Sequence, residues 1–445
     1  MTVMKSRATI DMAAEHRAQS YPAETSAARI AWAGTISMAV AVGIGRFAFT
    51  PLLPMMLHDG TIDLAHGSKL ATANYLGYLI GALLCMVLPR LASGATMIRC
   101  GLAGTILLTL GQSLPWPAVW PGLRFCAGIA SAMVFVFTSG WCMAHLAQRG
   151  KPRMGATIFT GPGAGIALSG LVASLLVILQ VSATTAWAVF ALLALLLSAI
   201  VWRVFRGPDQ QPSTGAASGA ETESVASTAS SVPNAPRRAE PPAASTAEMA
   251  IFTLAYGIAG FGYIITATFL PVIARAALPG SVWLDLFWPI LGLGVVTGAL
   301  VAARIAVHID PRLLLIACYL VQAFGVAFSL ILPSLIGFIL SSLLVGLPFT
   351  AISFFAMQDV RRLRPHHAAR FMGLLTAAYG IGQIAGPPLA AHLLATSTSQ
   401  AEGFAWSLGS ASTALLIGAI LYLIMRLCWP LHKGSEKKHD RQYIR

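Results

Sequence analysis

Charge is what this 445-residue chain has least of: Asp, Glu, Lys and Arg together make up only 10% of it. A soluble domain needs a larger charged fraction to cover its surface, so composition excludes a water-soluble globular protein. Ten-residue alternating segments are also missing. The apolar runs are unbroken over roughly 20 residues, which excludes a transmembrane β-barrel. Residues 1–28 are polar, mixed in charge and without an apolar core, so they read as a cytosolic tail and not as a cleavable leader. Six cysteines (Cys85, Cys100, Cys126, Cys142, Cys318, Cys428) form no CxxC pair and sit in or beside apolar segments. They read as small packing residues, and no metal site and no cofactor is expected. His366 and His367 adjoin a basic loop and read as a solvated surface.

Acid is missing from one place in particular. The 16 Asp and Glu residues fall in tails, loops, the linker or at span ends, as Asp59, Asp63, Asp285, Asp359 and Glu402 do. None sits in the middle of an apolar span. A transporter that exchanges cations for protons usually needs a carboxylate in its cavity. Here the charges inside the spans are cationic, Arg46 and Arg124, so the cavity is expected to favour anions, held by bidentate guanidinium bonds.

What is present is apolar. Hydrophobic residues are 56% of the chain and mean hydropathy is +0.73, which reads as an all-α membrane protein with many spans. Twelve spans are expected, at about 29–57, 69–89, 95–114, 118–146, 154–180 and 183–205, then 248–274, 284–306, 312–332, 335–358, 370–394 and 403–428. The domain reading is a cytosolic tail at 1–28, a six-helix half at 29–205, a disordered cytosolic linker at 206–247, a second six-helix half at 248–428 and a basic cytosolic tail at 429–445. The linker is rich in Ser, Ala, Pro, Thr and Glu and cannot bury enough surface to fold.

One constant offset of 217 residues superposes the two halves. Gly43 and Gly45 fall on Gly260 and Gly262, Pro54 on Pro271, Gly77 and Gly81 on Gly294 and Gly298, Arg153 on Arg370, and Gly163 and Gly165 on Gly380 and Gly382. Even span numbers make both halves run the same way, a parallel repeat. Of the 29 lysines and arginines, all but Lys69, Arg275, Arg46 and Arg124 fall on one side, so both termini are expected in the cytosol. The net charge of +13 is that bias, and no nucleic-acid partner is implied.

Within the first span lies Gly43–Met56, GIGRFAFTPLLPMM. Its glycines strip side chain from the helix around Arg46, and Pro51 and Pro54 loosen the turns that follow. Arg46 is about 16 residues into the span, roughly 24 Å along the axis, too deep to snorkel with ease. It is read as a solute-binding cation, against the alternative of a cation capping helix carbonyls. Arg124 follows Trp116 and Trp120 by about one turn, and for it snorkelling and binding stand level. Steps of three or four from Arg124 reach Ser131, Phe135 and Thr138. The 217-residue offset sets Tyr263 opposite Arg46 and Ser341 opposite Arg124, and Tyr256 and Thr266 share the Tyr263 face. Asn74, Tyr75, Tyr78, Tyr379 and Gln383 complete the candidates, each of which could instead be a hydrogen bond between helices. Gly292–Gly298 and Gly380–Gly386 have GxGxxxG spacing with no strand before it, so they read as helix packing and not as a dinucleotide site.

Two parallel six-span halves with a central cytosolic linker resemble the major facilitator superfamily, and GIGRFAFTPLLPMM is similar to its YbfB/YjiJ-type bacterial branch. Arg124–Gly128 resembles that superfamily's Arg-xxx-Gly motif, and Gly161-Pro162-Gly163-Ala164-Gly165 resembles its antiporter motif. Pro89-Arg90-Leu91-Ala92 departs from the expected acidic loop signature, and Ile166 stands where a second glycine is usual. The resemblance implies alternating access around a cavity lined by spans 1, 4, 7 and 10, with Gly43, Gly45, Pro54, Gly128, Gly161, Pro162, Gly163 and Gly165 serving gating and packing. The function expected is secondary transport of a small organic anion by a monomer in the bacterial inner membrane, with a coupling ion among its partners. An efflux antiporter for neutral or amphipathic compounds is the alternative. A membrane-embedded enzyme or a sensor fits less well, since no cluster of catalytic side chains stands out.

Overall fold

The computed structural model describes residues 26–87, 93–206, 245–278, 283–305, 309–364 and 368–430. Most of the first tail, nearly all of the 206–247 linker, the last tail beyond Pro430, and His366 and His367 lie outside these residues. Among the described residues every regular element is helical.

The helices of the first half are α1 (Ala27–His58), α2 (Leu64–Val87), α3 (Gly94–Gly111), α4 (Trp120–Gln148), α5 (Gly155–Ile178) and α6 (Ala183–Val201). Those of the second half are α7 (Thr246–Ala277), α8 (Phe287–Ala302), α9 (Pro311–Ile331), α10 (Leu335–Leu363), α11 (Ala368–Thr396) and α12 (Gln400–Cys428). Among the described residues nine helices are long and apolar enough to cross a membrane, and α8 is apolar but shorter. The remaining two, α2 and α11, carry Asn74, Tyr75 and Tyr78 and Tyr379 and Gln383, the polar candidates of the bundle interior. Several helices begin where a side chain can take the first free backbone donors: Ser93, Ser182, Ser245, Asp310 and Ser399 cap α3, α6, α7, α9 and α12.

The repeat seen in the sequence is also a repeat of contacts. A Cβ at Gly43 would fall on the backbone of Gly165, fixing α1 against α5, and a Cβ at Gly260 would fall on the carbonyl of Tyr379, fixing α7 against α11. Gly77 and Gly81 press α2 onto the backbone of α4 at Phe125 and Ile129, while Gly294 and Gly298 press α8 onto α10 at Leu343 and Leu347. The GxGxxxG segments therefore pack helices. Across the two halves α2 meets α11 and α5 meets α8. The Thr50 hydroxyl donates to the Ala267 carbonyl at 2.8 Å. Those residues are 217 apart, so this bond lies at the axis that relates the halves.

Candidate functional site

The site begins with an irregularity in α1. Residues Ala39–Ile44 form a π-helix, closed by bonds from Gly45 N to Val40 O (2.9 Å) and from Phe47 N to Val42 O (3.0 Å). Such wide turns cluster at functional positions. Just beyond, Thr50 N donates to Phe47 O at 3.1 Å and so leaves the Arg46 carbonyl without its usual helical donor. Arg124 from α4 supplies one: its Nη2 donates to Arg46 O at 2.9 Å and its Nη1 to Gly45 O at 3.2 Å. Asn74 of α2 in turn donates to the Arg124 carbonyl at 2.9 Å. The Arg124 guanidinium also lies over Phe49, 5.0 Å from the ring centre. It is buried and points at α1, so the snorkelling reading of Arg124 does not hold. The carbonyl-capping role considered for Arg46 belongs to Arg124.

Arg46 itself faces the other half. It is 6% exposed, and its Nη2 donates to Gln383 Oε1 of α11 at 2.6 Å. The Gln383 amide nitrogen donates to the Tyr263 hydroxyl. Arg46 and Tyr263, equivalent by the repeat, are thus joined through one glutamine. The guanidinium lies 4.1 Å from the Tyr78 ring centre and 5.2 Å from those of Tyr75 and Phe47. Aromatic faces attract a cation, but they do not neutralise it. Among the described residues no carboxylate pairs with Arg46, and its Nε has no hydrogen-bond partner. Aromatic packing widens the cage. Tyr263 stacks on Tyr379 at 5.9 Å and meets Phe349 edge-on at 4.9 Å, while Tyr256 tilts against Tyr379 at 5.0 Å. The Tyr256 hydroxyl donates to Ser353 at 2.9 Å, and that of Tyr75 pairs with Thr268 at 2.9 Å.

Seven expected site residues, Arg46, Tyr75, Tyr78, Tyr256, Tyr263, Tyr379 and Gln383, therefore lie in one connected group, with Arg124 holding it from behind. Ser131, Thr138 and Ser341 are buried outside these contacts, their hydroxyls without partners among the described residues, as is that of Thr266. Phe47, Phe349, Ser353 and Thr268 were not among the candidates. Their spacing carried no signal, because an aromatic or hydroxyl residue on a helix is ordinary packing until a neighbour is known.

A second buried group was missed outright. Arg312, at the start of α9, is fully buried and donates through Nε to Asp359 Oδ2 at 3.3 Å. Its Nη2 donates to Glu248 Oε1 of α7, and its Nη1 to the carbonyls of Met425 (3.0 Å) and Trp429 (2.7 Å). Glu248 and Asp359 do sit at helix ends, as read from the sequence, but neither is in water: they are 3% and 0% exposed.

Over residues 38–423 the chain matches the family described as uncharacterised MFS-type transporter YbfB. No curated protein matches it. A crystal structure of the nucleoside transporter NupG is similar, with a TM-score of 0.66 and 14% identity, covering 89% of this chain and 99% of that one. At such identity the likeness is one of fold.

Proposed function

For a chain that belongs to the major facilitator family described as MFS-type transporter YbfB, we propose secondary transport by alternating access, with a small aromatic carboxylate as cargo. The observation that carries this is the Arg46 guanidinium, set between the two halves among tyrosine rings with no acid beside it among the described residues. A carboxylate reaching Arg46 displaces the amide oxygen of Gln383, because it brings a full opposite charge and two oxygens for the guanidinium fork where the amide brings one neutral oxygen. Tyr75, Tyr78, Tyr263 and Tyr379 offer faces to a planar ring, which favours aromatic over aliphatic acids. Gln383 belongs to the opposite half, so its replacement by substrate cuts one tie between the halves and eases their rocking. Ser131, Thr138 and Ser341, buried with hydroxyls unpartnered among the described residues, keep hydrogen-bonding capacity in the interior.

A thermal-shift series on purified protein tests this, since a ligand at 100 times its Kd stabilises by about 2.7 kcal/mol. Benzoate is expected to raise the melting temperature more than hexanoate does, and adenosine not at all. The reverse order supports the second reading, efflux of neutral or amphipathic compounds. That reading draws on Arg46 already having a neutral partner in Gln383 and on the Gly161–Gly165 motif. The lysine and arginine bias supports cytosolic termini. In a background with the six native cysteines removed, single cysteines replacing Gly60 and Glu402 are expected to label from outside intact cells, and one replacing Ser227 only after permeabilisation.

A further inference from the structure

We propose that the Glu248–Arg312–Asp359 cluster is a proton-binding site that carries the coupling proton of transport; the coupling part rests on the transporter reading above. Two carboxylates share one guanidinium, and all three side chains are buried, at 3%, 0% and 0% exposure. One negative charge is left over, and it sits where water does not screen it. Four of the five guanidinium N–H groups are already engaged, with Asp359, the carbonyls of Met425 and Trp429, and Glu248, and none of these bonds reaches the second Asp359 oxygen. Asp359 Oδ1 is buried with no hydrogen-bond partner. A proton on that carboxyl removes the surplus charge and turns an orphaned acceptor into a neutral group.

The surroundings do not cancel the surplus. From α9, Asp310 faces the cluster, but Arg426 of α12 pairs with it at 3.5 Å. Arg362 of α10 is exposed to solvent, where its field is screened. Tyr422 of α12 and Tyr319 of α9 are the other titratable groups nearby, and their rings meet edge-on at 5.2 Å. On α7 the titratable groups are Glu248 itself and, two turns further along, Tyr256, whose hydroxyl donates to Ser353.

The other half shows that these helix ends close without ions. Subtracting 217 takes Glu248, Arg312 and Asp359 to Ala31, Ala95 and Cys142, all buried and all apolar. Cys142 Sγ donates to Ile30 O at 3.7 Å and lies against Gly34, so α1 and α4 are joined there by packing. The same architecture thus tolerates Ala, Ala and Cys where the second half holds two acids and an arginine. Buried ion groups are poor stabilisers compared with apolar side chains of similar volume. A task other than packing accounts for the charges.

The cluster is also tied to the Arg46 cage. Asp359 and Ser353 share α10, and Glu248 and Tyr256 share α7. The Tyr256–Ser353 bond joins these helices, and Tyr256 packs on Tyr379 and so on to Tyr263 and Gln383. Protonating Asp359 weakens its bond to Arg312, which frees α10 from α9 at that end.

Infrared spectroscopy of the purified full chain, titrated from about pH 8 to about pH 5, reads the site directly because protonated carboxyls have their own carbonyl band. The expected result is a band that grows in the wild type and is lost in Asp359→Asn; a band unchanged in both Asp359→Asn and Glu248→Gln overturns the proposal. Should Asp359→Asn not fold, the triple variant E248A/R312A/D359C copies the first half's residues. It is expected to fold and to lack the band, and its failure to fold would show that the charges hold the helices, which also overturns the proposal. In proteoliposomes, Asp359→Asn is expected to lose benzoate accumulation driven by a pH gradient while still exchanging benzoate across the membrane. Gradient-driven accumulation that survives the substitution sinks the coupling role. If wild-type protein moves no benzoate, the Arg46 reading fails, and the infrared titration still decides the proton site.

Discussion

Arg46 and Arg312 are both removed from water, yet their surroundings treat the charge in opposite ways. Arg312 is over-compensated, by two carboxylates and two carbonyls drawn from α7, α10 and the end of α12. Arg46 is under-compensated, with one amide oxygen and three aromatic rings. Arg124 lies between these extremes, its charge spread over two carbonyls released by the irregular turn of α1. A fully paired cation locks its neighbours in place, whereas an unpaired one keeps binding energy available for a solute. The contrast separates a buried group that holds more acid than base from a buried cation with no acid beside it among the described residues.

The largest effect is expected on removing Arg312 alone. Arg312→Ala leaves two carboxylates buried without a partner, and a loss of about 3–5 kcal/mol, read as apparent melting temperature, follows. A variant that melts like the wild type would mean the cluster is wet and the contrast with Arg46 false.

Next comes Arg46. Arg46→Ala is expected to keep the melting temperature and to abolish benzoate binding, while Arg46→Lys keeps the charge, loses the planar fork and weakens binding by about 1–3 kcal/mol. Affinity and melting should be measured on the same preparations. An Arg46→Ala protein that melts early yet binds benzoate normally places Arg46 with the structural arginines.

Gln383 sharpens the comparison, since its amide oxygen accepts the hydrogen bond from Arg46 that a solute would have to replace under the proposed function. Gln383→Leu removes the amide's bonds to Arg46 and Tyr263, freeing the guanidinium, and is expected to tighten benzoate binding by about twofold to tenfold. Gln383→Glu supplies the missing acid and is expected to silence binding. If Gln383→Leu instead weakens affinity, the amide touches the ligand and does not compete with it.

The smallest effect is expected in the loop before α2. Asp63 accepts from His66 N at 2.7 Å, and this bond, with the His66 ring, holds its carboxyl below the usual range. A lowered carboxyl stabilises the fold above its unfolded-state value and loses that contribution as pH falls through the folded one. Asp63 is exposed, so Asp63→Asn is expected to shift the neutral-pH melting temperature by no more than about 1 °C, with any difference from wild type vanishing in acid.

Much of the site was open to sequence reasoning because it follows periodicity. Arg46 stood out as a charge deep in an apolar run, and the 217-residue offset led from it to Tyr263, which the structure links to it through Gln383. The Glu248–Arg312–Asp359 cluster escaped because position along a span was taken for depth. Each of the three lies at a helix end, where water is the ordinary neighbour, and only the packing of four helix ends excludes it. A signal was present in the same offset. Three charged residues that fall on Ala31, Ala95 and Cys142 break the repeat together, and a shared departure is as informative as a shared match.

By itself the sequence determined the all-helical membrane class, the span pattern and the parallel repeat, since each follows from where apolar residues and glycines recur along one chain. The partners of the three buried arginines were settled only by tertiary structure. A guanidinium reaches several ångströms from its helix, and whether it meets an amide, a carbonyl or a carboxylate depends on residues as far as 337 positions away in the chain. Arg124 found carbonyls because α1 is unwound beside it, Arg312 found acids because α7 and α10 end beside it, and Arg46 was left to Gln383 and the tyrosines.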